Sequence, residues 1–205
     1  MAQNKKTLAI GAAVIFLLAG CESGGEPDRG TPSNDTRLAA LSELESISVA
    51  GDPLADIAGP VKIISELQYG RSRLIAYVNS DSCGILATSK DDANANRIHL
   101  VSKWPAHGEG SDNYPAGPYN SASGAGDAQT WASLLCSKNA MVLEYASAEG
   151  GAPEQTRGPV TVAQVANSPA TTRIIVGDAE ARKQIENRVK ESETPAAPAH
   201  TPSAQ

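Results

Sequence analysis

The sequence predicts an α+β fold, in which an antiparallel sheet of hairpins is flanked by an N-terminal and a C-terminal helix. Short runs of aliphatic and β-branched residues, separated by Gly, Asn, Asp and Ser, fill the middle of the chain and are typical of strands and turns. Apolar residues recur at helical spacing on either side of this region. Together these patterns place a helix at each end of one sheet.

The first predicted element is a helix over residues 35–48. Its first two residues, Asp and Thr, can each cap the N-terminus. Three leucines recur on one face of this helix: Leu38, Leu41 and Leu44. Asp52-Pro53 then provides a capping residue followed by proline, which suits the first helical position. A short helical turn that ends at Gly59-Pro60 is therefore expected next.

Strands follow from residue 62 onwards. Residues 62–68 alternate between apolar and polar side chains, which is the period of a half-buried strand. Turn residues such as Asn79-Ser80-Asp81-Ser82 separate the runs and favour hairpins. The predicted strands cover residues 62–68, 73–78, 83–88, 97–104, 131–136, 140–146 and 173–176. Residues 160–165 are compatible with either a strand or a helix.

The last predicted element is a helix that begins after its N-cap, Asp178, and continues to about residue 189. Ala181, Ile185 and Val189 form a narrow apolar stripe along it. We therefore expect one domain over residues 35–190, followed by a tail over residues 191–205. The tail is rich in Pro, Ala and Thr, which predicts disorder.

The first 21 residues carry the most specific motif. Lys5 and Lys6 precede a short apolar run, which is typical of a secretory signal and too short for a comfortable membrane span. Leu18-Ala19-Gly20-Cys21 resembles the lipobox of bacterial lipoproteins. The resemblance implies that Cys21 receives a diacylglyceryl thioether and that residues 1–20 are then removed. The alternative is an N-terminal membrane anchor helix that is never cut.

This resemblance also implies a location. A lipoprotein carries at least two acyl chains on one residue, palmitate among them, which gives a stable hold on a bilayer. The protein would face away from the cytoplasm, on the cell membrane or the outer membrane. Glu22, rather than aspartate, follows the cysteine, which favours the outer membrane in a host that has one. Residues 21–34 are rich in Gly, Pro and Ser and are predicted to form a flexible tether.

The composition limits the partners of the domain. The 205-residue chain has a net charge of −6, and removal of residues 1–20 takes away two lysines and no acid, which leaves −8. An acidic surface repels phosphate backbones, so nucleic-acid binding is not expected. Phe16 is the only phenylalanine. The domain core must therefore consist mainly of aliphatic side chains, with Trp104 and Trp131 as the largest aromatic ones.

Two cysteines remain if Cys21 is lipidated. In an oxidising compartment the simplest expectation is a disulfide between Cys83 and Cys136. Two separate buried thiols are the alternative. A redox pair is disfavoured because the chain has no Cys-x-x-Cys motif.

The candidate binding segment is a long predicted loop over residues 105–129. It is rich in Gly, Pro, Ser and Asn and contains Tyr114 and Tyr119. Long loops in compact domains are either functional or disordered, and tyrosines among small residues suit recognition. His107 in the same segment is a further candidate binding residue. The alternative is a mobile insert without a binding role.

Metal and enzyme motifs are weak. His107 has Glu109 and Asp112 nearby, but solvated loop side chains are the default interpretation, so no metal site is predicted. Residues 92–103 resemble the start of a calcium loop but place Arg97 where glycine is needed. The sequence contains no Gly-x-Ser-x-Gly elbow, no Ser-x-x-Lys pair and no phosphate loop. No cofactor is expected.

The sequence therefore favours a lipid-anchored envelope lipoprotein that acts as a binding or interaction module. It would attach to the membrane through the lipid on Cys21 and bind an envelope protein, a cell-wall polymer or a small ligand. Two alternatives stay open. One is a surface-displayed enzyme that uses His99 or His107, and the other is an inhibitor or immunity-type lipoprotein.

Overall fold

Ten strands, one 3-10 turn and one long helix make up the part of the chain that the computed structural model describes. The described residues are 37–90, 98–106, 110, 113–126, 129–147 and 152–193, and all of them belong to one unit that begins at residue 36. The predicted signal segment, the tether, Cys21, His107, most of the tail and the first half of the calcium-like segment lie outside the described residues.

All ten strands lie between residues 62 and 177. Their bounds are β1 Lys62–Tyr69, β2 Ser72–Val78, β3 Ser82–Ser89, β4 Ile98–Lys103, β5 Asn120–Ala125, β6 Trp131–Cys136, β7 Ala140–Ala146, β8 Gln155–Arg157, β9 Val160–Val165 and β10 Ser168–Gly177. The helix, α1, spans Ala179–Glu193, and the 3-10 turn spans Leu41–Glu43.

These strands form two sheets rather than the single sheet that the sequence predicts. The first sheet has the order β4-β3-β2-β1-β8, and the second has the order β5-β6-β7-β10-β9. Every neighbouring pair is antiparallel. The α+β class is confirmed in this coarser form, as two antiparallel sheets with a C-terminal helix.

The core lies between the two sheets, which pack face to face. Alternate side chains of each strand point inwards, so Leu74 and Ile85 of the first sheet share one buried cluster with Leu134, Leu143 and Ile174 of the second. The alternation of apolar and polar residues along a strand could be predicted from the sequence, because a strand that buries one face needs apolar residues at every second position. The division of the strands into two sheets that pack together could not be predicted, since both sheets bury the same residue types.

The predicted N-terminal helix is wrong in its described part. Residues 41–43 form one 3-10 turn, and the flanking residues are extended. The backbone of this segment is satisfied by tertiary partners instead of by a helical ladder: the Ala39 N–H donates to an Asp178 carboxylate oxygen at 2.5 Å, and the Leu41 N–H donates to the Lys138 carbonyl at 2.7 Å.

The three leucines still pack against apolar clusters, but they do not lie on one face of a helix. Leu41 and Leu44 enter the cluster between the sheets, whereas Leu38 packs on the outer side of the second sheet. An extended chain can direct these side chains to two different layers, and a helix would have placed all three on one side. This division explains why a spacing of three residues does not produce a helix here.

The segment after it covers the outer face of the first sheet. The expected helical turn at residues 53–57 is a hydrogen-bonded turn, in which the Ile57 N–H donates to the Leu54 carbonyl at 2.9 Å. Leu54 is buried on a layer made by three strand residues: Ile75, Tyr77 and Leu86. We refer to residues 52–61 as the strap.

The strand predictions agree with the structure at seven places, and residues 160–165 prove to be a strand. Two strands were not predicted. The six-residue strand β5 lies inside the expected long loop of residues 105–129, and β8 is three residues long. Strand β5 consists of small and polar residues with low strand propensity. Its conformation depends on its pairing with β6 and on Gly124, which lies close to Leu100 of β4.

The C-terminal helix is confirmed and extends to Glu193. Asp178 caps it, because one carboxylate oxygen accepts the Ala181 N–H at 2.7 Å. Ala181 and Ile185 are buried against the outer face of the second sheet, beside Val142 and Ile175. The same carboxylate holds Ala39 through its other oxygen, so the two ends of the domain meet at this helix start.

The predicted disulfide is confirmed. Cys83 of β3 and Cys136 of β6 are bonded, with Cα atoms 6.6 Å apart, and both side chains are fully buried. Because β3 and β6 belong to different sheets, the bond joins the two layers within the buried cluster between them, near the start of β3 and the end of β6.

Replacing both cysteines tests how much this bond stabilises the sandwich. The bond closes a sequence separation of 53 residues, for which the chain-entropy argument gives about 4 kcal/mol. We expect Cys83→Ala/Cys136→Ala to lower the free energy of unfolding by that amount in urea titrations. Wild-type protein unfolded in a reductant is the matched control and should lose a similar amount. Equal stability of the double variant and the oxidised wild type would contradict this role.

Candidate functional site

The two tyrosines of the predicted binding segment pack against each other. Tyr114 and Tyr119 meet edge to face with ring centroids 5.5 Å apart. Tyr119 is only 2% exposed and belongs to the cluster beneath α1, together with Ala140 and Val142. Tyr114 is half-buried at the margin of the same cluster. Tyr119 therefore stabilises the domain core. Of the two tyrosines, only Tyr114 is exposed enough to contact a binding partner.

The Tyr119 hydroxyl is buried without a hydrogen-bond partner of normal geometry among the described residues. Burial raises the pKa of this phenol well above its ordinary value of 10.0, although the nearby Ser137 hydroxyl acts in the opposite direction. Ser137 also lines a surface cavity of about 270 Å³. Its walls come from three short segments, residues 105–106, 116–118 and 137–139. This Pro118 cavity is lined in part by the predicted binding loop.

His99 is held by a neighbour in its own sheet. Its Nε2 atom lies 2.7 Å from the Tyr77 hydroxyl, although the histidine itself is exposed on β4. Tyr77 pairs with Gly84 of β3, and its ring lies so close that a Cβ on Gly84 would sit 2.2 Å from the ring. Glycine is therefore required at position 84, because it lets the tyrosine cross β3 and reach the histidine.

This arrangement is a structural contact rather than a nucleophile and its base. Tyr77 is 1% exposed and lies beneath the strap, so its hydroxyl has no open approach for a substrate. A base–nucleophile pair needs a reacting atom that a substrate can reach. His107, the other histidine proposed for catalysis, lies outside the described residues.

Two ion-pair networks, the first of them buried, were missed by sequence reasoning. Glu66 of β1 accepts from Arg73 at 2.6 Å and from Arg157 of β8 at 3.1 Å. Glu66 is 4% exposed, so its charge depends on these two guanidinium groups. The signal for this network was present in the sequence as charged residues at strand positions, but their partners are set by the strand register.

The second network lies on the outer face of the second sheet. Arg173 of β10 contacts Glu144 of β7 at 2.9 Å and Glu193 of α1 at 2.7 Å. Burial alone would lower the pKa of Arg173, but its hydrogen bonds to Glu193 and Glu144 raise it, so the guanidinium stays charged. This network fixes the last turn of α1 to the sheet.

A groove lies between that helix and the edge strand β9. It has a volume of about 370 Å³. Ile175 and Arg173 of β10 contribute to it, with Val189 on the helix side and residues 161–164 of β9 opposite. The sequence did not predict this β9 groove, because only the tertiary structure brings the strand and the helix that form it next to each other.

Comparisons with known proteins add no assignment. No family model, no curated protein and no solved structure matches this chain. Within the described ranges, no cluster of three or more His, Cys, Asp or Glu side chains is arranged to hold a metal ion. In the same ranges, no helix is long and apolar enough to cross a membrane.

A double-mutant cycle tests the structural role of His99. Tyr77→Phe and His99→Ala each remove the hydrogen bond between the two side chains, and the double variant removes it once. We expect a coupling energy of about 1 kcal/mol in urea unfolding, the usual value for one such bond. Strictly additive losses would show that the contact contributes nothing to stability.

The buried Tyr119 hydroxyl predicts a pH dependence of stability. The folded state holds this proton more tightly than the unfolded chain does, so the free energy of unfolding does not depend on this phenol below about pH 10 and falls as the pH rises further. We expect Tyr119→Phe to be neutral or stabilising at pH 7, by up to about 1 kcal/mol, because it removes an unpaired polar group.

The measurement is thermal unfolding of both proteins between pH 7 and about pH 11. The phenylalanine variant should lose less stability than wild type over the alkaline part of this range. Tyr114→Phe is the matched control, since it changes the other ring of the same pair. A wild-type alkaline loss that Tyr119→Phe leaves unchanged would contradict the assignment.

Proposed function

We propose that this protein is a lipid-anchored lipoprotein of the bacterial cell envelope, whose domain acts as a binding or interaction module. The observation that carries the proposal is the buried disulfide between the two sheets. Structural disulfides form in exported proteins and are rare in the cytosol. This supports export, which is also what the lipobox-like residues Leu18-Ala19-Gly20-Cys21 imply.

The lipid on Cys21 would provide the attachment to the membrane. Each buried methylene contributes about 0.8 kcal/mol, and two or more chains hold a protein stably.

An interaction role is favoured over a catalytic one by the same structure. The described histidine, His99, is engaged by a buried phenol, as shown above. Concave surfaces of the described domain include the Pro118 cavity, the β9 groove and a cavity of about 310 Å³ beside the strap, and each is lined by a mixture of apolar and polar residues. Mixed linings of this kind suit recognition of an envelope protein, a wall polymer or a small ligand.

Replacement of Cys21 tests the anchor. The protein is produced in a bacterium that processes lipoproteins, with labelled palmitate in the medium, as wild type and as Cys21→Ala. We expect the wild type to carry label, to lack residues 1–20 by intact mass and to sediment with membranes. The Cys21→Ala chain should carry no label, because the thiol that receives the lipid is gone.

The matched control is Cys83→Ala/Cys136→Ala, which removes two cysteines and keeps Cys21. It should be labelled as strongly as wild type, even if its domain is less stable. A wild-type chain without acyl mass, or label that persists in Cys21→Ala, would contradict the proposal. Free thiols at Cys83 and Cys136 in the exported protein would remove the observation on which the proposal rests.

A further inference from the structure

Strand β9 leaves one edge of the second sheet open. It is the last strand in the order of that sheet, so β10 lies on one side and no described strand lies on the other. It is six residues long and has the sequence VTVAQV, without charge or proline. Natural edge strands are normally protected by charges, prolines or bulges, because unpaired backbone groups recruit another strand.

The direction of its backbone groups follows from the pairing with β10. The Gly177 N–H donates to the Pro159 carbonyl, which makes 159 and 177 a hydrogen-bonded pair. Hydrogen-bonded and non-hydrogen-bonded pairs alternate along an antiparallel ladder. With the observed register, residues 161 and 163 bond to β10, and Val160, Val162 and Gln164 direct their N–H and C=O groups outwards.

One of these three outward residues is already occupied. The Arg182 guanidinium donates to the Val160 carbonyl at 3.0 Å and to the Thr161 hydroxyl at 3.1 Å. Arg182 therefore closes the first residue of the edge. The backbone groups of Val162 and Gln164 remain available for a new strand.

We propose that a second copy of this chain pairs with β9 through its own β9, in antiparallel orientation about a two-fold axis at Ala163. This register places Val162 opposite the second copy's Gln164 and joins them by hydrogen bonds on both sides of the axis. It uses every available outward group and does not need Val160. The result is a ten-stranded sheet that continues across both copies.

Three features favour a second copy as the occupant. Non-hydrogen-bonded antiparallel pairs approach to about 4.5 Å between Cα atoms, and the residue on the axis is the small, exposed Ala163. The absence of charge on β9 allows two acidic chains to meet there without direct repulsion. The chain's own tail is a poorer strand, because Pro195, Pro198 and Pro202 lack the N–H groups that pairing requires.

Cysteine cross-linking tests the register in the full, exported protein. Two cysteines at position 163 would face each other across the axis at a distance that a disulfide spans. Two cysteines at position 161 would lie about 13 Å apart, four strand positions from one another. We expect Ala163→Cys to migrate as a covalent dimer on a non-reducing gel and the matched control, Thr161→Cys, to remain monomeric.

Sedimentation of the lipidated protein in detergent provides a second measurement. The wild type should have twice the protein mass of the Ala163→Lys variant, in which two ammonium groups would meet at the axis. Because Ala163 is exposed, the variant should fold as the wild type does, and the two melting temperatures should agree at protein concentrations low enough for both to be monomeric. A monomeric wild type, or equal cross-linking at positions 161 and 163, would overturn the proposal. A dimer that survives Ala163→Lys would place the interface elsewhere and overturn it as well.

These outcomes are independent of the lipid anchor. Loss of membrane attachment in Cys21→Ala concerns residue 21, whereas dimer formation concerns β9. A dimer without acylation would support this inference alone, and an acylated monomer would support the proposed function alone.

Discussion

The separation of the two sheets is the constraint on which the rest of this structure depends. The chain has few aromatic side chains, so its core is filled by Leu, Ile, Val and Ala, with the Tyr69–Tyr145 contact at 5.3 Å as the aromatic pair within it. Small side chains fill a sandwich only if its layers stay close and aligned. The buried Cys83–Cys136 bond holds the two layers together within this core.

Each sheet also needs a cover for its outer face. The strap covers the first sheet through Leu54, and α1 covers the second through Ala181 and Ile185. The N-terminal segment and α1 share the Asp178 carboxylate, so this cover and the entry of the chain into the domain depend on one side chain. The helix reaches only the start of β9, through Arg182, and the rest of that edge and the adjoining groove stand out as interaction surfaces.

Sequence reasoning succeeded where one local pattern sufficed. The strands that bury one face and the helix after Asp178 were predictable, because alternation and capping are local signals. It failed for Leu38, Leu41 and Leu44, whose spacing fits a helix, because the Leu38 carbonyl and the Leu41 N–H bond to distant residues of the β6–β7 turn instead of a helical ladder. Strand β5 was hidden in the same way, because its small residues become a strand only beside β6.

The features of the candidate sites fall into the same two groups, those set by local sequence and those set by tertiary packing. The sequence by itself determined the lipobox-like motif, the pair of cysteines available for a disulfide and the position of most strands, since each depends on residue identity or on neighbours along the chain. Only the tertiary structure decided that Tyr119 is buried, that Tyr77 engages His99, and that β9 ends a sheet beside α1. These facts depend on which distant segments meet, and such meetings are set by the packing of two similar apolar sheets rather than by any local pattern.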